Sequence, residues 1–176
     1  MGVQTTAVDV AQGAVPMVEL WRGGRLESQH RGHAVICDAN GGVIDAWGNP
    51  AAVIYPRSSC KMIQALPLLE SGAGDGLSDA QLALACASHA GEPMHSAVVT
   101  EWLARIACVP DDLECGVHPP RHTATAEALV RERRAPSPIH HNCSGKHTGM
   151  LATARHLGET TAGYAERTHP VQQRIL

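Results

Sequence analysis

The sequence changes character near residue 57, and this change restricts the chain to a fold that combines strands with helices. Four extended segments are predicted before that point, at residues 18–21, 25–37, 43–47 and 52–55. Glycine-containing turns separate the first three of them. We expect these segments to form an antiparallel meander, which ends abruptly in an apolar helix.

The rest of the sequence has its apolar residues at helical spacing. Pro67 lies two turns into the first helix and should kink it near Ile63, because proline cannot donate a backbone hydrogen bond. Ser78 and Gln81 have the spacing of a capping box. Further helices are predicted at residues 78–87, 92–106, 123–134 and 150–157 and from residue 170 onward. The predicted class is α+β, an antiparallel sheet packed with helices.

Composition restricts the class of protein further. A chain of 176 residues, 44% of them hydrophobic, can bury the core of one domain. We expect a flexible tail at residues 1–15 and a single domain at residues 16–176. The net charge of −3 and the absence of a basic stripe argue against a nucleic-acid partner. No apolar run approaches the ~18 residues of a membrane span, so a cytoplasmic protein is predicted. The six cysteines lack a disulfide-framework spacing and are predicted to be reduced.

Ser58 and Lys61 are the first candidate catalytic pair. Residues three apart share one face of a helix, so the hydroxyl and the amine can meet. A serine becomes a nucleophile when a base takes its proton, and a lysine acts as that base when burial lowers its pKa. The apolar residues after Lys61 offer such burial. The alternative is an ordinary helix start, with Ser58 as the cap and Lys61 in solvent.

Two further segments, residues 87–92 and 141–147, place reactive side chains around glycines. Glycine lets backbone N–H groups approach a ligand closely, as an oxyanion hole requires. The second segment lacks a packing signal, which favours a loop at a site. Taken singly, Ser88 is more simply a serine that bonds its own backbone, and Cys143 a buried thiol.

Together, three segments resemble the L-asparaginase II family, the serine-lysine type of asparaginase. The resemblance is carried, in this order, by residues 57–67 (RSSCKMIQALP), 87–92 (ASHAGE) and 142–147 (NCSGKH). It extends from about residue 18 to the end of the chain. It implies a fold like that of the serine beta-lactamases and penicillin-binding proteins. Because the family is longer, the chain is expected to be a truncated N-terminal portion, with the C-terminal half missing.

The resemblance also implies a function. Family members are amidohydrolases that convert L-asparagine and water to L-aspartate and ammonia, and full-length members are expected to be homodimers. The implied catalytic residues are Ser58, Lys61 and Ser88, with an acyl-enzyme on Ser58. Zinc is the implied cofactor, with Cys143 and Lys146 as two of its ligands. The residues predicted to orient the charged groups of the substrate are Arg57, His89, Asn142 and His147.

The second catalytic lysine of the family and its other two zinc ligands have no match in this sequence. We therefore expect the chain to be impaired or inactive. Two alternatives stay open: an inactive fragment that acts as a structural or binding unit, and a serine-lysine acyl hydrolase of the beta-lactamase or penicillin-binding type. Asparagine turnover, metal content and labelling by a beta-lactam distinguish them.

Overall fold

Strands and helices are segregated along the chain. The computed structural model describes residues 13–176, and the chain divides into two compact units between Pro56 and Arg57. The strands of the described part lie before this boundary and its α-helices after it. The predicted α+β class is confirmed. Of the predicted tail at residues 1–15, residues 1–12 lie outside the described residues.

The first unit contains two antiparallel hairpins. Their strands pair as β1 (Val15–Arg22) with β2 (Arg25–Gly32) and β3 (Ala34–Cys37) with β4 (Val43–Trp47). Asp38 holds the turn between β3 and β4. Its carboxylate accepts hydrogen bonds from the backbone N–H groups of Asn40 and Gly42, both at 2.8 Å. The sheet is therefore two short ladders instead of the predicted continuous meander.

Two details of the predicted strands differ from the structure. The long strand expected at residues 25–37 is interrupted at His33, and residues 52–55 do not form a strand. His33 Nδ1 accepts a hydrogen bond from the backbone N–H of Asn49 at 2.9 Å. This contact lies at the point where β2 ends. Within residues 13–56 no residue is buried, and large apolar side chains such as Trp21 and Ile44 are 60% and 67% exposed.

The second unit is helical. A 3-10 turn (Arg57–Cys60) leads directly into the first helix. The helices are α1 (Lys61–Gln64), α2 (Leu66–Glu70), α3 (Asp79–Cys86), α4 (Pro93–Arg105), α5 (Thr123–Arg131), α6 (Ser144–His156) and α7 (Pro170–Ile175). No helix within residues 13–176 combines the length and the apolar composition needed to cross a bilayer. All six cysteines are free.

Helix α6 lies at the centre of the second unit. Nine of its thirteen residues are buried. Leu151 and Ala154 belong to a core cluster with Val99 and Leu103 of α4, whereas Ala152 belongs to a second cluster around Trp102. The core is aliphatic apart from Trp102 and one tyrosine, in keeping with a chain that lacks phenylalanine.

Glycine permits the close approach of α6 to α3. A Cβ added at Gly145 would lie 2.5 Å from the carbonyl oxygen of Leu84 and 2.7 Å from its Cβ. Because only a residue without a side chain fits there, the start of α6 packs directly on the backbone of α3. This packing brings the two predicted site segments together, since one follows α3 and the other opens α6.

Local signals predicted most helix boundaries correctly. Ser78 caps α3, with both hydrogen bonds of the capping box to Gln81 present. The predicted kink is a break at Ala65 between α1 and α2. The predicted start of α6 at residue 150 is wrong, because the helix begins at Ser144. Ser144 and Thr148 in its first turns are buried, and their hydroxyls bond to backbone carbonyls, as Thr148 Oγ1 does to the oxygen of Ser144 at 2.9 Å.

Candidate active site

A buried lysine and a serine hydroxyl form the centre of the site. Lys61, the first residue of α1, is only 3% exposed. Its Nζ donates a hydrogen bond to the carbonyl oxygen of Ala87 at 2.5 Å and another to Ser88 Oγ at 2.8 Å. Ala87 ends α3 in an extended conformation, which turns the chain out of the helix and presents Ser88. The structure thus joins two of the three predicted catalytic residues directly.

Ser58 lies in the 3-10 turn that precedes Lys61, and its side chain is exposed. No hydrogen bond between Ser58 and Lys61 is present among those of residues 13–176. Arg57, next to it, has a positive φ of 54°. A non-glycine residue in this conformation stores backbone strain, which is common beside functional groups. The role of Ser58 as nucleophile stays a prediction.

His89 holds the two site segments together. Its backbone N–H donates to the carbonyl oxygen of Asn142 at 3.2 Å. On the ring, Nδ1 accepts from the backbone N–H of Gly91 at 3.1 Å, so Nε2 carries the proton and donates to Ser144 Oγ at 2.9 Å. Burial, followed by the charges of His95 and Lys61, lowers the pKa of His89 to about 4. The ring is neutral at pH 7 with both nitrogens occupied, which suits a structural link better than contact with a charged substrate.

His147 is also occupied within the protein. Its Nδ1 lies 2.8 Å from the hydroxyl of Tyr164, which in turn accepts a hydrogen bond from the backbone N–H of Glu114 at 2.7 Å. The phenol therefore donates to the imidazole. Burial lowers the pKa of His147 to about 3, so its ring is neutral. The predicted role of His147 in orienting substrate is not tested by this geometry, but its Nδ1 faces the core.

Asn142 is half-buried and lies between the two segments. Its backbone carbonyl accepts the hydrogen bond from His89, and its side-chain Oδ1 lies 3.3 Å from His118 Nε2. The thiol of Cys143 also donates to Oδ1, at 3.6 Å. The backbone N–H of Asn142 also lies 3.4 Å from His118 Nε2, so Asn142 links the start of α6 to the loop before α5. Arg57, the remaining residue of the four, is exposed.

Cys143 and Lys146 stand where the resemblance implies two zinc ligands. Burial lowers the pKa of Lys146, and the electrostatic interaction with Cys143 opposes this shift. A neutral amine and a thiolate are both suitable donors for zinc, so the chemistry of the pair fits. Two ligands are too few, however, because structural zinc sites take four. Residues 13–176 contain no cluster of three or more His, Cys, Asp or Glu side chains that could hold a metal.

Sequence reasoning missed the loop before α5. His118 contacts Asn142, its ring packs on that of His141 with centroids 4.3 Å apart, and the backbone N–H of His122 donates to Ala90 O at 2.8 Å. The proline- and histidine-rich composition of this loop does not reveal its partners, because Asn142 lies 24 residues from His118 and Ala90 lies 32 residues from His122. Cys60 and Cys115 were also missed, and both act electrostatically on Lys146.

A family model described as L-asparaginase II matches residues 18–176. The chain belongs to the L-asparaginase II family. The match covers every site residue named above and begins at the residue where the resemblance was expected to begin. Membership in this family makes the chain an asparaginase-type hydrolase by descent, with asparagine as the implied substrate. A search of curated proteins found no match.

Proposed function

We propose that the site hydrolyses the side-chain amide of L-asparagine to L-aspartate and ammonia through an acyl-enzyme. The observation that carries this proposal is the hydrogen bond between the buried Lys61 amine and the Ser88 hydroxyl. A serine needs a base to become nucleophilic, and a deprotonated lysine amine beside it can act as that base. Family membership supplies the substrate class.

Ser88 is proposed to relay a proton between Ser58 and Lys61. A neutral amine has two N–H donors and one lone pair. In the structure Nζ donates to both the carbonyl oxygen of Ala87 and Ser88 Oγ. The relay requires the deprotonated amine, whose lone pair would accept from the Ser88 hydroxyl while one N–H still donates to Ala87. As Ser88 gives its proton to Lys61, it can take the proton of Ser58.

The proposed reaction has two steps, acylation of Ser58 and hydrolysis of the resulting ester. Ser58 Oγ forms a bond to the amide carbon of asparagine while its proton passes through Ser88 to Lys61. The carbon–nitrogen bond breaks, and the leaving nitrogen takes that proton and departs as ammonia. Water then attacks the carbonyl carbon of the resulting ester, and the bond from that carbon to Ser58 Oγ breaks. A proton of the water passes by way of Lys61 and Ser88 to Ser58 Oγ, and aspartate is released. Ser88 itself is the alternative nucleophile, since it is the hydroxyl in direct contact with Lys61.

Ammonia release from asparagine by the purified chain tests the proposal. We expect Lys61→Met and Ser88→Ala each to lower the rate by ~10² to 10⁴, the usual contribution of a positioned acid or base. Ser96→Ala is the matched control, because the Ser96 hydroxyl makes, among the hydrogen bonds of residues 13–176, the local one to the carbonyl oxygen of Glu92, the residue that caps α4. Unchanged turnover in Lys61→Met would remove lysine from the mechanism.

A diazoketone analogue of asparagine separates the two serines. Its electrophilic carbon alkylates an activated hydroxyl, and peptide mass spectrometry locates the label. Labelling of Ser58 supports the proposed nucleophile, and labelling of Ser88 exchanges the roles of the two serines. No label together with no ammonia release favours the reading of the chain as a structural or binding unit.

We further propose that zinc, when bound, is held in part by Cys143 and Lys146. If bound, zinc would supply a fixed positive charge at the start of α6, and no step of the proposed reaction depends on it. With two ligands from the described residues, affinity should be weak. Zinc content after dialysis against a known free concentration should fall in Cys143→Ser and stay unchanged in Cys108→Ser, whose thiol lies in the core.

A further inference from the structure

A buried tyrosine is held in place behind the site. Tyr164 is fully buried and lies between α6 and α7. The two carboxylate oxygens of Glu114 accept hydrogen bonds from the backbone on either side of it, from the N–H of Gly163 at 2.6 Å and from the N–H of Ala165 at 2.9 Å. The side-chain amide of Gln172 donates to the carbonyl oxygen of Tyr164 at 2.8 Å. These bonds leave the phenol ring little freedom to move.

The hydrogen bonds of the Tyr164 hydroxyl determine where its proton lies. The oxygen accepts from the backbone N–H of Glu114 at 2.7 Å, a group that can only donate, and it lies 2.8 Å from His147 Nδ1. Among the hydrogen bonds of residues 13–176, this nitrogen is the one acceptor within reach of the phenol proton. Burial raises the pKa of Tyr164, so the phenol keeps that proton at pH 7. Because a buried hydroxyl without an acceptor costs ~1–3 kcal/mol, the phenol donates to Nδ1.

The other ring nitrogen of His147 is then a hydrogen-bond donor. An imidazole nitrogen that accepts a hydrogen bond carries no proton, so the proton of the ring lies on Nε2. Nε2 forms none of the hydrogen bonds found within residues 13–176, and it is not one of their buried polar atoms without a partner, so it is in contact with solvent. His147 therefore presents an N–H group that is available to a ligand.

The ring of His147 lies close to the proposed catalytic groups. Ser144, one turn earlier on α6, bonds to the ring of His89, which follows Ser88 in the sequence. Lys61 is near enough to His147 to contribute to the lowering of its pKa, of which burial is the largest cause. The available N–H group is thus near the buried lysine and the serine on which the proposed reaction depends.

We propose that Tyr164 and Glu114 are positioning residues that hold His147 with its Nε2–H group toward the substrate. Glu114 acts through Tyr164, and Tyr164 acts through the imidazole. Since Nε2 donates and does not accept, His147 contacts an oxygen of asparagine, in its α-carboxylate or its amide, and not its ammonium group. The choice of asparagine rests on the proposed function, whereas the position of the proton on His147 does not.

Nitrogen-15 NMR of the histidine-labelled chain reads the position of this proton without substrate. A ring with its proton held on Nε2 has two widely separated nitrogen shifts, and exchange of the proton between the nitrogens brings the shifts together. We expect separated shifts for His147 in the wild type and shifts that approach each other in Tyr164→Phe, where Nδ1 has lost its donor. Tyr55→Phe is the matched control, because Tyr55 is the other tyrosine of the chain and its ring is 91% exposed. The signals are assigned by their loss in His147→Gln.

Ligand titrations test the contact with the substrate. The Nε2 shift of His147 should move when L-asparagine binds. β-Alaninamide, which is asparagine without its α-carboxylate, identifies the oxygen: movement with both ligands assigns the amide oxygen, and movement with asparagine alone assigns the carboxylate. The dissociation constant of asparagine should rise by ~10-fold in His147→Leu and by less in His147→Gln, which keeps an N–H donor. His156→Gln, an exposed histidine at the opposite end of α6, is the matched control.

Each outcome decides the proposal. Unchanged ring shifts of His147 in Tyr164→Phe, or an Nε2 shift that neither ligand moves, overturn it. If Tyr164→Phe does not fold, seen as loss of the buried-tryptophan fluorescence of Trp102, Glu114→Ala decides: shifts that approach each other support the positioning role, and unchanged shifts refute it. Movement of the Nε2 shift without ammonia release removes the proposed hydrolysis and keeps the positioned donor. Ammonia release without this movement does the reverse.

Discussion

Gly145→Ala should separate α6 from α3. The added Cβ would meet the carbonyl oxygen, the Cβ and the carbonyl carbon of Leu84 at 2.5, 2.7 and 2.8 Å. Favourable carbon contacts are ~3.5 Å long, so the two helices must move apart by roughly 1 Å. Two of the three atoms belong to the backbone of α3 and cannot rotate away. The clash therefore acts on the whole helix pair.

Two opposing effects determine how much Gly145→Ala changes the free energy of unfolding. Alanine in place of glycine stabilises a helix interior by ~1 kcal/mol, and overpacking a tight contact costs ~1–3 kcal/mol. Because backbone atoms absorb this clash, the upper end of that cost applies, and the net loss in the free energy of unfolding is about 2 kcal/mol. With a urea dependence of ~2 kcal/mol per M, the unfolding midpoint falls by roughly 1 M.

Gly149→Ala is the matched control, one turn along the same helix. Its added Cβ would lie 3.3 Å from a flexible methyl group of Leu68 and 3.5 Å from the ring of Trp102, close to ordinary contact distances. The free energy of unfolding should change by less than ~1 kcal/mol. Urea titrations followed by tryptophan fluorescence compare the two variants. Equal stability of Gly145→Ala and Gly149→Ala would refute the argument from close helix approach.

Further measurements test the buried polar groups. Tyr164→Phe should lower the free energy of unfolding by about 2 kcal/mol, because His147 and the N–H of Glu114 both lose their partner, whereas Tyr55→Phe, with a 91% exposed ring, should change it little. Stability should also fall as the pH falls from 6.5 to about 4. In that window His89 is protonated in the unfolded chain but not in the folded chain, where its pKa is about 4, so the unfolded state binds more protons. Urea unfolding midpoints measured across this pH range should therefore depend less on pH in His89→Gln than in the wild type.

The parts of the fold that were predicted correctly depend on neighbours in sequence. Ser78 and Gln81 are three residues apart, and both bonds of their capping box form locally. The break at Ala65 follows from the missing N–H of Pro67. The family resemblance was also readable, because its motifs are contiguous stretches. These features require no knowledge of what packs against them.

The errors and omissions concern contacts that are distant in sequence. The first turns of α6 contain serine, glycine, lysine and histidine, a composition typical of a loop, yet they are helical, and Ser144 and Gly145 are buried where Gly145 packs on α3. His118 showed no pattern, since its partner Asn142 lies 24 residues farther on. The hydrogen bond between His147 and Tyr164 joins residues that are 17 positions apart. A single sequence does not carry this pairing information.

The hairpins of the first unit have a consequence for local motion. With no buried residue in residues 13–56, opening a hairpin exposes little additional apolar surface, so the free energy of opening is close to that of the backbone hydrogen bonds alone. Amide hydrogens of β1 to β4 should exchange with solvent at nearly the rate of a free peptide. Those in the middle of α6, around Leu151, should exchange only when the whole helical unit unfolds. The amide exchange rates of the two units are thus expected to differ by orders of magnitude.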